Sequence, residues 1–582
     1  MGDKKAVVEP ASEKQDVEMV EMVDSASDRG AKTDSLRDRL RVNVDGNEDD
    51  APFKLNARLV MALVGCSFAF AGSQLIPLSF FTLYTFIAKD FGETNFVWLK
   101  AANWTGQIGA ACTLGPLSDL LGRKPMFMAG ISLSMLGMIV CASTPTASGF
   151  IAGQALAGFG LMAEELLALA VTAELVPTSK RAVYGAAMIA GFIPWAPGAL
   201  YAQLIAMYNW RWIGCMIAIW HLLALAMIAG FYKPPPRVAH QSESRKEIIQ
   251  KIDIVGIALG ITGFVVFLVG LNWGGQTYPW ASVQVGCALG FGLFTVILFI
   301  CWEMFGAKYP LFPRRLVQVK STFWAIMLVI FAAGINYVPL AIFWPIESIS
   351  VFNSNHKETG LNTVPVGLCI LGGAIISAGF CGKWPQHCRL IMTFFCIMQT
   401  AGVGAMAAID PHNINTAWPP LIIGLVGVGG VLFPNQIIVT VITPDDLLAT
   451  VTSLTFVIRG VSQSVALALL QNRFVAAVTA NALKLVAPAA IKAGLTSVPQ
   501  ITELVNSLTA VPFKEYVPQM LPMVNTTEKY DMLFEATVQT FGKSFPTLYY
   551  IGLGFGIVGC IASILVGDMS KYMDEHVAVH IH

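Results

Sequence analysis

Residues 115–125 read GPLSDLLGRKP and separate two long apolar runs of the chain. An aspartate, an arginine and a lysine stand here between stretches that contain almost no charge. A glycine permits a tight turn, because it has no Cβ atom to restrict its backbone. The pattern is defined by Gly115, Asp119, Gly122, Arg123 and Lys124. This spacing predicts that Asp119 ends one helix and that Arg123 and Lys124 begin the next.

The whole chain has the composition of a membrane protein. Its 582 residues are 55% hydrophobic and 13% charged, with a mean hydropathy of +0.63. An average soluble chain carries about 25% charged residues. The formal net charge is zero and no long basic tract occurs, which argues against nucleic acid as a partner. The 11 cysteines are scattered without metal-ligand spacing.

Fourteen apolar segments are long enough to cross a bilayer as helices. They lie near 58–84, 96–118, 125–143, 148–173, 182–207, 212–232, 253–273, 282–303, 322–348, 361–381, 389–409, 417–441, 447–474 and 545–567. The chain is therefore predicted to be an all-α polytopic membrane protein. Lysine and arginine are concentrated in alternate short loops, which is typical of the cytoplasmic side. This pattern assigns both termini to the cytoplasm.

The predicted organisation has two six-helix halves with two helices inserted between them. Its parts are a disordered cytoplasmic tail (1–56), the N-terminal half (57–232), a cytoplasmic linker (233–252), two additional helices (253–303), the C-terminal half (304–567) and a cytoplasmic tail (568–582). Residues 475–544 are predicted to be an outer loop, whose amphipathic runs could lie on the membrane or cap the outer face. Asn525 begins an N-glycosylation acceptor pattern in that loop.

The loop at 115–125 resembles the signature of the major facilitator superfamily: glycine, small residues, aspartate, then glycine with two basic residues. The resemblance implies the major facilitator fold, with Asp119, Arg123 and Lys124 in a charge network that latches the cytoplasmic side. Leu120 departs from the pattern, because the family usually has a basic residue there. With fourteen predicted spans, the chain resembles the drug:proton antiporters that have two additional helices between their six-helix halves. The C-terminal stretch 567–582, GDMSKYMDEHVAVHIH, is similar to the fungal trichothecene efflux pump family and to related siderophore-iron transporters.

The fifth predicted helix contains GFIPWAPGALYA at residues 191–202, which resembles the antiporter signature. Pro194, Pro197 and Gly198 are predicted to kink it, because proline removes a helical hydrogen bond. The alternative is an ordinary kinked membrane helix.

The fourth predicted helix carries two adjacent glutamates in LMAEELLALAV, residues 161–171. A charge at the bilayer centre costs roughly 3 kcal/mol, so a use for these side chains is expected. Drug antiporters usually have an arginine where this chain has Gln154. Helical periodicity places Glu165 on the face of Gln154 and Glu164 about 80° away. In the drug antiporters that the chain resembles, this face looks toward the bundle interior. Glu165 is predicted to bind and release the coupling proton with Glu164 as helper or structural partner. The alternative is that one or both glutamates are neutral and hydrogen-bonded in the packing between helices.

Other polar and aromatic side chains within the spans are candidates to line a substrate cavity. They are Asn103, Trp104, Gln107, Gln154, Asn435, Gln436 and Arg459. The alternative for the amides is hydrogen bonding between helices. Arg459 could contact an electron-rich substrate or pair with a membrane carboxylate.

Together, these features predict a proton-coupled transporter that exports a hydrophobic secondary metabolite, mycotoxin or drug. The alternatives are siderophore-iron uptake by proton symport and a nutrient sensor that does not transport. No catalytic cluster is apparent in the sequence, so an enzyme, a metal and a cofactor are not expected. The expected partners are a small hydrophobic substrate, protons and the lipid bilayer. A monomer in the plasma membrane is predicted, with a vacuolar or vesicle membrane as the alternative.

Overall fold

The computed structural model describes residues 55–567 except for 81, 85–86, 88–89, 93–96, 235–250, 276, 314–315, 318, 495–496, 508–512 and 515–525. Residues 1–54 and 568–582 of the predicted tails, most of the predicted linker and Asn525 lie outside the described residues. Within them the chain forms helices and short turns and contains no β-strand. The predicted all-α fold is confirmed.

The helices are numbered in chain order. They are α1 (Ala57–Phe80), α2 (Val97–Leu121), α3 (Arg123–Ser143), α4 (Ala147–Leu175), α5 (Arg181–Ala190), α6 (Gly198–Ala206), α7 (Arg211–Phe231), α8 (Ile254–Trp273), α9 (Val283–Cys301), α10 (Lys320–Val338), α11 (Trp344–Ser350), α12 (His356–Lys383), α13 (Cys388–Met406), α14 (Trp418–Val441), α15 (Leu448–Ala493), α16 (Val498–Ser507), α17 (Thr527–Ser544) and α18 (Pro546–Ile564).

Polar residues and glycine define several of the helix ends. Gly122 separates α2 from α3 with a φ of 94°, a backbone conformation that few other residues adopt. The Thr146 side chain accepts a hydrogen bond from the Gly149 N–H at the start of α4. Asp253 caps α8 in the same way. These contacts satisfy backbone donors that have no partner within the helix.

Twelve helical segments in the described part of the chain are long and apolar enough to cross a membrane, which makes this a multi-pass membrane protein. The predicted number of fourteen stays a prediction. The other two predicted spans, near 96–118 and 182–207, correspond to α2 and to the interrupted pair α5 and α6.

Helices α1–α7 pack largely on one another, as do α10–α15 with α18, and we call these groups the N-terminal and C-terminal halves. The halves meet where α2 packs on α15, where α4 packs on α15, and where α5 and α6 pack on α12. The inserted pair α8 and α9 lies outside this interface, with α8 against α2 and α15. We call the end of the bundle that carries Asp119 the inner end, since the charge pattern assigns it to the cytoplasm.

Helix α15 differs from its predicted range, because it continues past residue 474 to Ala493. Its 46 residues span about 69 Å, more than twice the hydrocarbon thickness of a bilayer. Buried residues continue along one face of the extension at helical spacing, at Phe474, Val478, Ala482 and Val486. This face packs on α17, where the Asn481 side chain donates a 2.9 Å hydrogen bond to Ser544. Hydropathy falls beyond the membrane, but the apolar stripe keeps the segment helical.

An epitope tag inserted after Gly494, the exposed residue that follows the last residue of α15, tests the orientation of the bundle. We expect antibody to bind this tag on intact cells, because the excess of basic residues lies at the opposite end. A tag at the N-terminus is the matched control and is expected to bind antibody only after permeabilisation. Labelling in the opposite order contradicts the assignment.

Candidate functional site

A cavity of about 240 Å³ lies between the two halves. Its wall is contributed by α1, α2, α4, α5, α10, α12, α14 and α15. Most of the wall is apolar, and its aromatic members are Phe70, Trp104, Phe192, Tyr337 and Phe456. An apolar cleft with a few polar groups is the usual form of a small-molecule site, although such sites more often measure about 300 Å³ or more.

An ion pair between the two halves crosses this cavity. The Arg459 guanidinium on α15 donates a hydrogen bond of 2.7 Å to Glu165 Oε1 on α4. The side chains are only 8% exposed for Glu165 and 23% exposed for Arg459. The guanidinium also lies 4.3 Å from the centre of the Phe456 ring. Of the two outcomes predicted for Arg459, the structure shows pairing with a membrane carboxylate.

The other predicted cavity residues divide into two groups. Trp104, Gln107, Asn435 and Gln436 line the cavity together with Glu165 and Arg459. Asn103 and Gln154 do not line it.

Asn103 and Gln154 are buried between α2 and α4, where the Asn103 amide donates to the Gln154 carbonyl at 3.2 Å. Gln154 lies about 16 Å along α4 from Glu165, at the rise of an ideal helix. At that depth α4 packs closely on α2, because a Cβ atom at Gly158 would overlap the Asn103 carbonyl. The prediction that Gln154 lines the cavity was therefore wrong, because helical phase gives the face of a residue but not what packs on that face at its depth.

Glu164 points away from the cavity, into the N-terminal half. Its Oε2 lies 3.2 Å from Nε2 of His221 on α7, and both side chains are fully buried. Sequence reasoning did not find His221. A lone histidine inside the apolar helix α7 was the available signal, but periodicity does not identify a partner on another helix.

At the inner end, Asp119 binds the start of a helix in the other half. The Thr450 backbone N–H donates to Asp119 Oδ2 at 2.9 Å, and the Thr450 hydroxyl donates to the same oxygen. Thr450 lies in the first turn of α15, where unpaired N–H groups and the helix dipole favour a negative charge. At Gly115 the two helices are so close that a Cβ atom would overlap the Ala449 carbonyl and the Ser453 side chain.

The basic residues of the same loop hold the N-terminal half together at the inner end. Arg123 lies 2.5 Å from Asp119 and also binds Glu174 at the end of α4, with its Nε donating at 2.9 Å. Lys124 donates a 2.8 Å hydrogen bond to the Ala229 carbonyl, in the last turn of α7. A cation at this position is favoured by the helix dipole. Glu174 was not among the predicted site residues.

A second inner-end contact between the halves is formed by Arg181 at the start of α5. Its Nη2 donates to Asp445 Oδ1 at 2.9 Å, and its Nη1 donates to the Thr440 carbonyl at 3.1 Å. Arg181 and Asp445 are both buried. In the sequence they are 264 positions apart, and Arg181 appeared only as one of the basic residues of an inner loop.

The predicted fifth helix is interrupted at the predicted kink. Helix α5 ends at Ala190, a short 3₁₀ turn covers Ile193–Trp195, and α6 begins at Gly198. Both Pro194 and Pro197 lie in the interruption. The interrupted segment packs on the C-terminal half, because a Cβ atom at Gly367 of α12 would overlap the Ala196 carbonyl.

Two helical halves, a central cavity and a charge network at one end define a membrane transporter of the major facilitator type. The human organic anion transporter MFSD10 (TETRAN) has this fold, with a TM-score of 0.51 and 11% identity over 86% of this chain and 100% of that one.

The chain belongs to the fungal trichothecene efflux pump (TRI12) family, whose sequence profile matches residues 22–582. It is 26% identical to the trichothecene efflux pump TRI12 of Fusarium sporotrichioides over 521 residues, 84% of this chain and 83% of the relative. Identity to the trichothecene efflux pump TRI12 of Trichoderma arundinaceum is 23% over 591 residues, 97% and 94% of the two chains. The protein is thus an efflux-type transporter and not an enzyme.

The substitution Gly115→Ala tests the contact between α2 and α15. We expect the added methyl group to separate the helices and to open the inner end. The probe is a cysteine introduced at Thr455 in the cavity, in a background without the native cysteines. With Gly115→Ala this cysteine should react with a thiol reagent added on the inner side at least about fivefold faster than without it, because overpacking costs about 1–3 kcal/mol.

Gly286→Ala on α9 is the matched control, since nothing lies within 4 Å of a Cβ atom there. Equal labelling rates in the two variants contradict a close contact at Gly115.

Proposed function

We propose that this protein exports a small hydrophobic secondary metabolite in exchange for protons, and that Glu165 carries the proton. The observation that supports this most directly is the ion pair of Glu165 with Arg459 inside the cavity. Among the residues that line the cavity in the described part of the chain, these two are the charged ones. A charge change at Glu165 therefore acts on the one ionic contact that crosses the cavity.

The same two helices are linked again at the inner end. Glu165 and Glu174 are nine residues apart on α4, and Thr450 and Arg459 are nine residues apart on α15. Each separation is about 13–14 Å along a helix. Glu174 binds Arg123, Arg123 binds Asp119, and Asp119 binds Thr450. The cavity ion pair and the inner-end latch are therefore two levels of attachment between α4 and α15.

A transport cycle follows from this arrangement. A proton that enters from the outer side binds Glu165, removes its charge and releases Arg459. With one attachment lost, α15 can move away from α4 and the Asp119–Thr450 contact can open. Substrate then binds from the inner side, the proton leaves to that side, and the ion pair forms again as the inner end closes. One proton enters for each substrate that leaves.

The expected substrate is compact and largely apolar, with oxygen atoms that accept hydrogen bonds. The aromatic and aliphatic wall favours an apolar body, while Gln107, Asn435 and Gln436 offer amide groups that donate to oxygen. The related pumps of Fusarium and Trichoderma carry trichothecene in their names, and an oxygenated terpenoid toxin fits this chemistry. We place the protein in the plasma membrane as a monomer, where export removes the compound from the cell.

The substitution Glu165→Gln removes the titratable group and keeps the size of the side chain. Substrate-dependent proton movement in proteoliposomes, followed with a pH-sensitive dye, should fall to background. Export driven by a pH gradient should also fall to background, because a glutamine amide can neither take up the proton that releases Arg459 nor give it up again.

Glu165→Asp is the matched control, because it keeps a carboxyl group while shortening the side chain. It should retain proton movement at a reduced rate. Full proton-coupled export by the Gln variant would show that Glu165 is not the proton carrier.

The direction of transport is tested in a pump-deficient fungal strain. Cells that express the protein should tolerate a panel of trichothecenes and other oxygenated toxins better than cells that express Glu165→Gln, and should retain less labelled toxin. Growth on a ferric siderophore as the only iron source, without any gain in tolerance, would instead support the alternative of siderophore uptake.

A further inference from the structure

The contact between Glu164 and His221 contains a proton whose place is restricted by geometry. His221 Nδ1 lies 2.7 Å from the Ile217 carbonyl oxygen. A carbonyl only accepts hydrogen bonds, so Nδ1 must carry the hydrogen. The other ring nitrogen, Nε2, then faces Glu164 Oε2 at 3.2 Å. At that distance a proton lies on one of these two atoms, as a carboxylic acid with imidazole or as a carboxylate with imidazolium.

The net charge of the pair is zero in either arrangement. Both side chains have no exposed surface, and within the described residues no third group forms a hydrogen bond with either Glu164 oxygen or with His221 Nε2. Loss of the shared proton would leave a net negative charge in this site, and gain of another would leave a net positive charge. Either change costs several kcal/mol in a buried site. Burial therefore favours the state in which the pair shares one proton and has no net charge.

The helices around the pair form a fixed frame. Helix α1 closes over it at Gly72, where a Cβ atom would lie 3.1 Å from His221 Nε2 and 3.3 Å from Glu164 Oε2. Next to His221, the Trp220 indole donates a 2.9 Å hydrogen bond to the Phe68 carbonyl and stacks on the Phe68 ring. Helices α1 and α7 are thus fastened together beside the pair, and Glu164 attaches α4 to them.

The other charged side chains on the helices around the pair have contacts elsewhere. Helices α1 and α3 pack on both α4 and α7. Besides the pair, the charged or titratable residues of these four helices are Arg58, Cys66, Arg123, Lys124, Cys141, Glu165, Glu174, Arg211 and Cys215. Arg123, Lys124 and Glu174 take part in the inner-end contacts, and Arg211 binds Asp90 at 3.1 Å near the outer end. Within the described residues, Glu164 supplies the acidic atom within 4 Å of His221.

We propose that His221 is a positioning residue for proton exchange at Glu165, an inference that rests on the proposed function. Its contact with Glu164 fixes the rotation of α4 about its own axis. Because Glu164 and Glu165 are successive residues of one helix, this rotation decides whether the Glu165 carboxyl points at Arg459. The proton shared by Glu164 and His221 stays bound through the cycle, and Glu165 exchanges alone. The two adjacent glutamates thus have separate tasks.

The first test compares Glu164→Gln with the unchanged protein. The rate of substrate-dependent proton movement is measured in proteoliposomes over a range of external pH. A glutamine amide can still donate to His221 Nε2, so we expect the rate to fall by no more than about threefold, in the range of one altered hydrogen bond. The pH of half-maximal rate should stay the same. A shift of that pH, or a change in protons moved per substrate, would overturn the proposal, because the pair would then exchange protons itself.

The second test removes the imidazole with His221→Ala, which leaves the Glu164 carboxyl without its partner. The rate should fall by at least about tenfold and the pH of half-maximal rate should shift, since a buried group left unpaired forces α4 to move. The double variant Glu164→Gln/His221→Gln, whose amides can bind each other, should restore both the rate and the pH value. A lower rate at an unchanged pH of half-maximum would show a purely structural role.

Glu165→Gln separates failure of this inference from failure of the proposed function. If its proton movement keeps the normal pH dependence, the proposed function fails whatever the Glu164 variants do. If Glu165→Gln abolishes the movement and Glu164→Gln shifts its pH dependence, the proposed function stands and the role of His221 fails. If His221→Ala does not reach the membrane, Glu164→Gln and the double variant decide the question.

Discussion

A charge inside a membrane protein needs an opposite charge or a proton, and this requirement organises the centre of the molecule. Glu165 and Arg459 meet it for each other across the cavity, from opposite halves of the chain. The same contact ties α4 to α15, which the inner-end network joins again through Asp119 and Thr450. An electrostatic requirement at one point therefore becomes a mechanical connection between the halves. A proton that satisfies the requirement in place of Arg459 removes the connection.

The two inner-end contacts use different physics. Asp119 binds the buried Thr450 N–H in the first turn of α15, so its attraction is to a helix end and needs no cation in the other half. Arg181 and Asp445 form a buried ion pair with direct charge neutralisation. Such contacts are stable while both partners stay in place and costly when one is withdrawn. This makes the inner end suited to two discrete states, closed with all partners engaged or open with all of them solvated.

The all-α membrane fold and several of the residues that line the cavity could be predicted from the sequence. Membrane composition and apolar segments were sufficient for the all-α membrane fold, because both depend on local physical rules. The major facilitator fold was predicted from the resemblance of the loop at 115–125 to that family's signature. Helical phase also separated Glu164 from Glu165 correctly, since one helix determines that angle. It could not supply His221 or Asp445, whose roles depend on helices far away in the chain. The length of α15 was missed for a related reason: hydropathy marks where a membrane ends, while packing on α17 keeps the helix intact.

In the proposed cycle, protonation of Glu165 releases the two halves from each other at the inner end. The direct measurement is the distance between spin labels at Val183 and Leu390, exposed residues of α5 and α13. In the unchanged protein we expect a longer distance between the labels at low pH than at high pH. The Glu165→Gln variant, which resembles the protonated state, should show the longer distance at both. A distance that does not change with pH, or a Gln variant that matches the unchanged protein, would show that protonation of Glu165 does not open the inner end.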